Sequence, residues 1–114
     1  MGGILEINKN RYNQILFTNP ELTPITGAAI TFQIKADVDE DLPALVEKKN
    51  TAAGGDDTEI EDVALDIGTF RVKIDAVDTS TMDVGTYWCE VKAIISSKPY
   101  LLFQLKCKLQ EVLI

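Results

Sequence analysis

The stretch Asp83-Val84-Gly85-Thr86-Tyr87-Trp88-Cys89-Glu90-Val91-Lys92-Ala93-Ile94-Ile95 decides how the rest of the chain is read. Asp83 and Gly85 are turn formers, and from Tyr87 onward Tyr, Cys, Val, Ala and Ile fall on every second position. That two-residue period belongs to a pleated strand with one buried face. Downstream, Ser96-Ser97-Lys98-Pro99 reads as a turn and Tyr100 to Leu109 as the last long strand. A hairpin centred near residue 98 sets Cys89 opposite Cys107, Val91 opposite Leu105, Ala93 opposite Phe103 and Ile95 opposite Leu101 on the inner face. Glu90 then meets Lys106 on the outer one.

Working upstream, Gly68 to Asp75 alternates strictly, with Phe70, Val72 and Ile74 inward. Ala29 to Ala36 does the same with Ile30, Phe32 and Ile34, leaving Thr31, Gln33 and Lys35 on the solvent side. Shorter strands are expected at Ile4 to Ile7, Tyr12 to Thr18, Ala44 to Lys48 and Glu59 to Leu65. Asn19-Pro20, Thr23-Pro24 and Thr26-Gly27 mark a loop, and Thr51 to Asp57, with its paired glycines, a mobile one. Asp78 to Met82 reads as one helical turn capped by Asp78. With no helical pattern of ten residues anywhere, the expected fold is all-β, an antiparallel sandwich of seven to nine strands in a single domain spanning residues 1–114.

The totals agree with one such domain. At 114 residues, 46% hydrophobic and 25% charged, the composition is that of a globular chain, and roughly 65% of the unfolded surface can be buried without metal or disulfide staples. No run approaches the roughly 18 apolar residues of a spanning helix, and the first residues carry neither a secretory nor a myristoylation signal. Net charge is −7, unevenly spread: residues 36–90 hold 15 acids and four bases, whereas residues 91–114 hold four bases and one acid. An acidic belt without clustered Lys or Arg argues against nucleic-acid binding and suits a solvated face.

The inventory for chemistry is thin. There is no His, neither Cys has a basic activating neighbour, and Gly54-Gly55 lacks the Lys-Ser/Thr of a phosphate loop. Asp37, Asp39 and Asp41 start like a calcium loop, but Leu42 and Lys48 stand where a Gly and a bidentate Glu are required. Asp56, Asp57 and Glu59 make no better case. No enzyme, cofactor, small-molecule substrate or metal site is expected. Cys89 and Cys107 are expected as buried thiols rather than a disulfide, since a bond across neighbouring strands is geometrically tight and no export signal precedes them.

By strand parity Trp88 faces outward with Ile94, Tyr100 and Leu102. Such an apolar patch is a candidate protein interface, unless a neighbouring loop or Lys108 covers Trp88.

Two resemblances add to this. The order Asp83-x-Gly85-x-Tyr87-x-Cys89 resembles the corner before strand F of immunoglobulin-like sandwiches, which implies that Tyr87 bonds back to upstream backbone and pins the loop. The familiar bridge of that fold, between strands B and F, is not expected, because the strand at 29–36, read as B-like, has no Cys and no Trp stands where strand C should be. From Leu22 onward the chain is similar to a small immunoglobulin-like domain of tailed-phage and prophage structural proteins, including the N-terminal domain of baseplate upper proteins. The resemblance rests on Leu22 with Ile25 to Phe32, on Gly68-Thr69-Phe70-Arg71-Val72, and on Asp78-Thr79 followed by Gly85-Thr86-Tyr87-Trp88. It implies a noncatalytic virion protein of tail, baseplate or head decoration, made in the host cytoplasm, self-associating and docking to other virion proteins. Longer relatives continue past the last strand, so a connector or decoration role is expected over host recognition. The rival is a carbohydrate-binding or adhesion sandwich using Trp88, Tyr100 and Tyr12. A secreted receptor domain is disfavoured by the missing signal, core disulfide and Asn-x-Ser/Thr site.

Overall fold

The computed structural model describes residues 4–18, 25–37 and 43–111. Eight strands are found among them: β1 (Ile4–Asn8), β2 (Asn13–Thr18), β3 (Ala29–Lys35), β4 (Val46–Lys49), β5 (Ile60–Ala64), β6 (Thr69–Ile74), β7 (Gly85–Ile95) and β8 (Lys98–Gln110). They form a five-stranded sheet in the order β1-β8-β7-β3-β4 and a three-stranded sheet in the order β2-β6-β5. Every pairing is antiparallel except β1 with β8, which run parallel. The chain is a two-sheet β-sandwich.

The core follows the alternation of the strands. Ile30, Phe32 and Ile34 from β3 and Phe70, Val72 and Ile74 from β6 are all buried, because every second side chain of each strand points between the sheets. Phe17 of β2 lies between the layers, its ring centroid 5.5 Å from Phe70, 6.1 Å from Phe32 and 5.0 Å from Phe103. These four rings tie one sheet to the other.

Placement differs from expectation at several points. The segment at 29–35, read as B-like, pairs with β7 and so occupies the position of the third strand; β2, pairing with β6 in the other sheet, takes the B position. The helical turn, α1 (Ala76–Thr79), is capped three residues earlier than expected. Asp75 is the N-cap, and Asp78, at the third helical position, accepts from the Asp75 backbone N–H at 2.7 Å in a reciprocal capping box. Gly85 opens β7 rather than lying in the turn before it.

The stretch expected as a mobile loop is built. Residues Thr51–Ala53 form a 3₁₀ turn capped by Asn50, which is fully buried. The Asn50 amide donates to the Ala28 carbonyl at 2.9 Å and to Asp62 at 3.1 Å, and its oxygen accepts from the backbone N–H groups of Ile30 at 2.9 Å and Ala53 at 3.1 Å. One side chain thereby joins β3, the β4 exit and β5. Gly55 follows because a Cβ there would come within 2.0 Å of the Lys49 carbonyl oxygen. The acidic run at 38–42 falls outside the described residues, as does the Asn19 to Pro24 loop.

The final hairpin is paired in a different register. Its turn is only Ser96-Ser97, both in the left-handed region (φ 52 and 66) between the paired Ile95 and Lys98. That is a two-residue turn whose twist matches the strands it joins. Pro99 is already in β8, opposite Ile94. Cys89 therefore faces Leu105, Tyr87 faces Cys107, Val91 faces Phe103 and Glu90 faces Gln104. A bulge then leaves Leu102 without an opposite residue, so that Leu101 pairs with Lys92 and Tyr100 with Ala93.

Candidate docking surface

The bulge changes which side chains reach the outer face of the five-stranded sheet. Leu101, expected inside, is 54% exposed, whereas Leu102, expected outside, packs against the core. An extra residue in one strand inverts inside and outside beyond it. The outer-face apolar patch is accordingly Ile94 and Leu101, each 54% exposed, whereas Tyr100, 47% exposed, pairs with the buried Ala93 and so has the opposite parity. Trp88 is half-buried, and the cation over it is Lys106, at 5.9 Å from the ring centroid, because Lys106, expected opposite Glu90, lies opposite Trp88 in place of Lys108.

Beside this patch the sheet holds a groove of about 780 Å³ over β3, β4, β7 and β8. Gln33 and Glu47 line it together, the amide donating to the carboxylate at 2.7 Å, and Lys49 lies 3.5 Å from Glu47. Lys92 and Gln104 line the side toward Leu101.

Under the groove lies a charge arrangement that alternation alone does not foresee. Glu90 is 2% exposed and Lys35 equally so, although both stand on the sheet's outer face. Glu90 is held by Lys35 at 3.7 Å and Lys92 at 3.5 Å, and receives the Gln104 amide at 3.4 Å. Two cations and an amide around one buried carboxylate offset the cost of taking it out of water. Across this face Lys35, Lys49, Lys92, Lys106 and Lys108 outnumber Glu6, Glu47 and Glu90. The face thus carries positive charge in a chain whose net charge is −7.

At the corner before β7 the Tyr87 bond that the immunoglobulin-like resemblance implies is present. The Tyr87 hydroxyl donates to the Asp83 carbonyl oxygen at 2.6 Å, and burial pushes the phenol's pKa above its ordinary value, which keeps the donor proton in place. Cys89 and Cys107 are both free thiols, 0% and 1% exposed. Their hydrogen bond, followed by burial, drives the pKa of Cys89 far up, so it has no nucleophilic character at neutral pH. Among the described residues no group of three His, Cys, Asp or Glu is placed to hold a metal ion. Asp56 instead turns inward on its own loop, accepting from the Thr58 hydroxyl and backbone N–H, which hold its pKa down.

No family model matches the chain, and no curated protein matches it. Among solved structures it is similar to the NK cell receptor Nkp44, described as a triggering partner in natural cytotoxicity, with a TM-score of 0.54 over 98% of this chain and 99% of that one. The fold is immunoglobulin-like. Identity is 17%, so what the two chains share is the sandwich. In immunoglobulin-like terms β7 and β8 are the F and G strands, and the outer patch belongs to the sheet that carries them.

Proposed function

We propose that this chain is a noncatalytic assembly module of a tailed-phage or prophage particle, in tail, baseplate or head decoration, working by docking to copies of itself or to another virion protein. The observation that carries the docking part is the exposed pair Ile94 and Leu101 beside an open groove on one face of the five-stranded sheet. Large apolar side chains gathered on an otherwise charged face mark an interaction surface. The particle assignment is supported by the matching residues from Leu22 through Trp88. A noncatalytic role is supported by a sequence without His and by two cysteines that are both buried, away from any substrate.

Purified particles from a lysogen that carries the gene test this directly. The chain should be present at a fixed copy number by quantitative mass spectrometry and remain after density-gradient banding. Its absence from banded particles sinks the assignment.

A glycan-binding reading has the groove in its favour, since the amide and carboxylate side chains of Gln33, Gln104 and Glu47 line it with Tyr100 at its border, and such polar groups suit sugar hydroxyls. A glycan array with wild-type protein and Tyr100→Ala separates the two. Binding that is lost with the ring favours the sugar, and uniform silence disposes of it.

A further inference from the structure

Resting on the docking reading above, we propose that the outer face of the five-stranded sheet receives the acidic edge of a second copy of this chain, head to tail. The donor surface lies on the other sheet. Its edge strand β5 and the 3₁₀ turn after it expose Val63 and Ile67, 43% and 49%, and set the exposed carboxylates Asp62 and Asp66 beside them. The receiving surface presents the complementary set: Ile94 and Leu101 as apolar anchors, with Lys49 and Lys92 at the groove between them and β4.

Charge selects this arrangement over a face-to-face dimer. Because the receiving face carries positive charge, the remainder of each chain is more negative than the whole-chain −7. Pairing two identical faces about a two-fold axis sets one net-positive surface carrying Lys92, Lys106 and Lys108 against another, and like-charge juxtaposition opposes that contact. Setting the face against the β5 edge brings lysines to aspartates and leucine and isoleucine side chains to Val63 and Ile67. The two surfaces belong to different sheets, so the contact is heterologous. Each copy keeps one free face and one free edge, and assembly continues past a dimer into a ring or a filament.

Sedimentation velocity of the full chain tests this with two variants, a face variant (Ile94→Glu with Leu101→Glu) and an edge variant (Asp66→Lys with Ile67→Lys). All four positions are exposed, and thermal melting checks that both variants fold; where a double variant fails to, Leu101→Glu or Ile67→Lys alone replaces it. Wild-type protein is expected to grow beyond a dimer with concentration, and each variant alone to associate at least tenfold more weakly. Mixed one to one, the variants should form a dimer of near wild-type affinity, since each retains the surface the other has lost. An edge variant that assembles like the wild type overturns the proposal in favour of face-to-face pairing. A mixture that stays monomeric overturns it as well. A wild-type chain that is monomeric throughout overturns self-docking while leaving a different virion partner to be found, and the particle experiment above fails or succeeds independently.

Discussion

Tyr87 acts through one atom. Its hydroxyl closes the corner onto Asp83, so Tyr87→Phe removes a single hydrogen bond and little packing, at about 1 kcal/mol. A midpoint lowered by roughly 3–6 °C in a thermal melt is expected for a chain of this size; an unchanged midpoint means the corner is held by the strands alone. Asn50 is the opposite case. It has four hydrogen-bonded partners and no exposure, and its loss leaves the Ile30 N–H and the Ala28 carbonyl without a partner in the core. Asn50→Ala should therefore cost about 3 kcal/mol in urea denaturation, more than any one hydrogen bond is worth, because buried groups left unsatisfied carry their full desolvation penalty. Of these two residues the sequence marks only the first. Tyr87 stands in a local order of turn and strand residues, whereas Asn50 looks like one more polar residue before a loop. Three of its four partners lie 12 to 22 positions away, beyond any local pattern.

The elements carry their own signatures. Between β5 and β6, Glu61 receives hydrogen bonds from Lys73 at 3.3 Å and Arg71 at 3.0 Å, which hold its pKa below the ordinary value of 4.5. A carboxylate whose folded pKa is depressed contributes stability above the unfolded value, and that contribution is lost as pH falls through the folded one. Stability of the wild type should thus drop more steeply than that of Glu61→Gln as pH is lowered from 6 to about 3, measured by urea midpoints at each pH; parallel curves would show the pair to be without consequence. In β3 and β6 the alternation sufficed, since Ile30, Phe32, Ile34, Phe70, Val72 and Ile74 are all in the core. The final hairpin shows where alternation stops being enough. Its strands and its inner residues near Cys89 were legible, but its register was not. A Pro normally ends a strand, so Pro99 invited a four-residue turn, while the chain instead turns on two serines at positive φ and lets Pro99 sit opposite Ile94. The bulge at Leu102 then exchanges the roles of Leu101 and Leu102, and with them the composition of the candidate surface.

For the molecule as a whole, the two sheets meet through Phe17, Phe32, Phe70 and Phe103, with Phe17 touching the other three. Phe17→Ala removes the shared ring and leaves a cavity between layers, at about 3–5 kcal/mol. Guanidinium denaturation should show that loss as one cooperative transition at lower midpoint; two separate transitions would mean that the sheets unfold independently. What the sequence by itself determined was the class of fold, the order of the strands and most of their buried faces, because the period-two pattern and the turn residues are local and depend on no distant partner. What only the tertiary structure decided was which strands lie side by side, the burial of Glu90 with Lys35, the buried Asn50 and the membership of the outer patch. Each of these depends on which distant segments meet, and a two-residue change of register or one extra residue in a strand alters every such meeting while leaving the local pattern as it was.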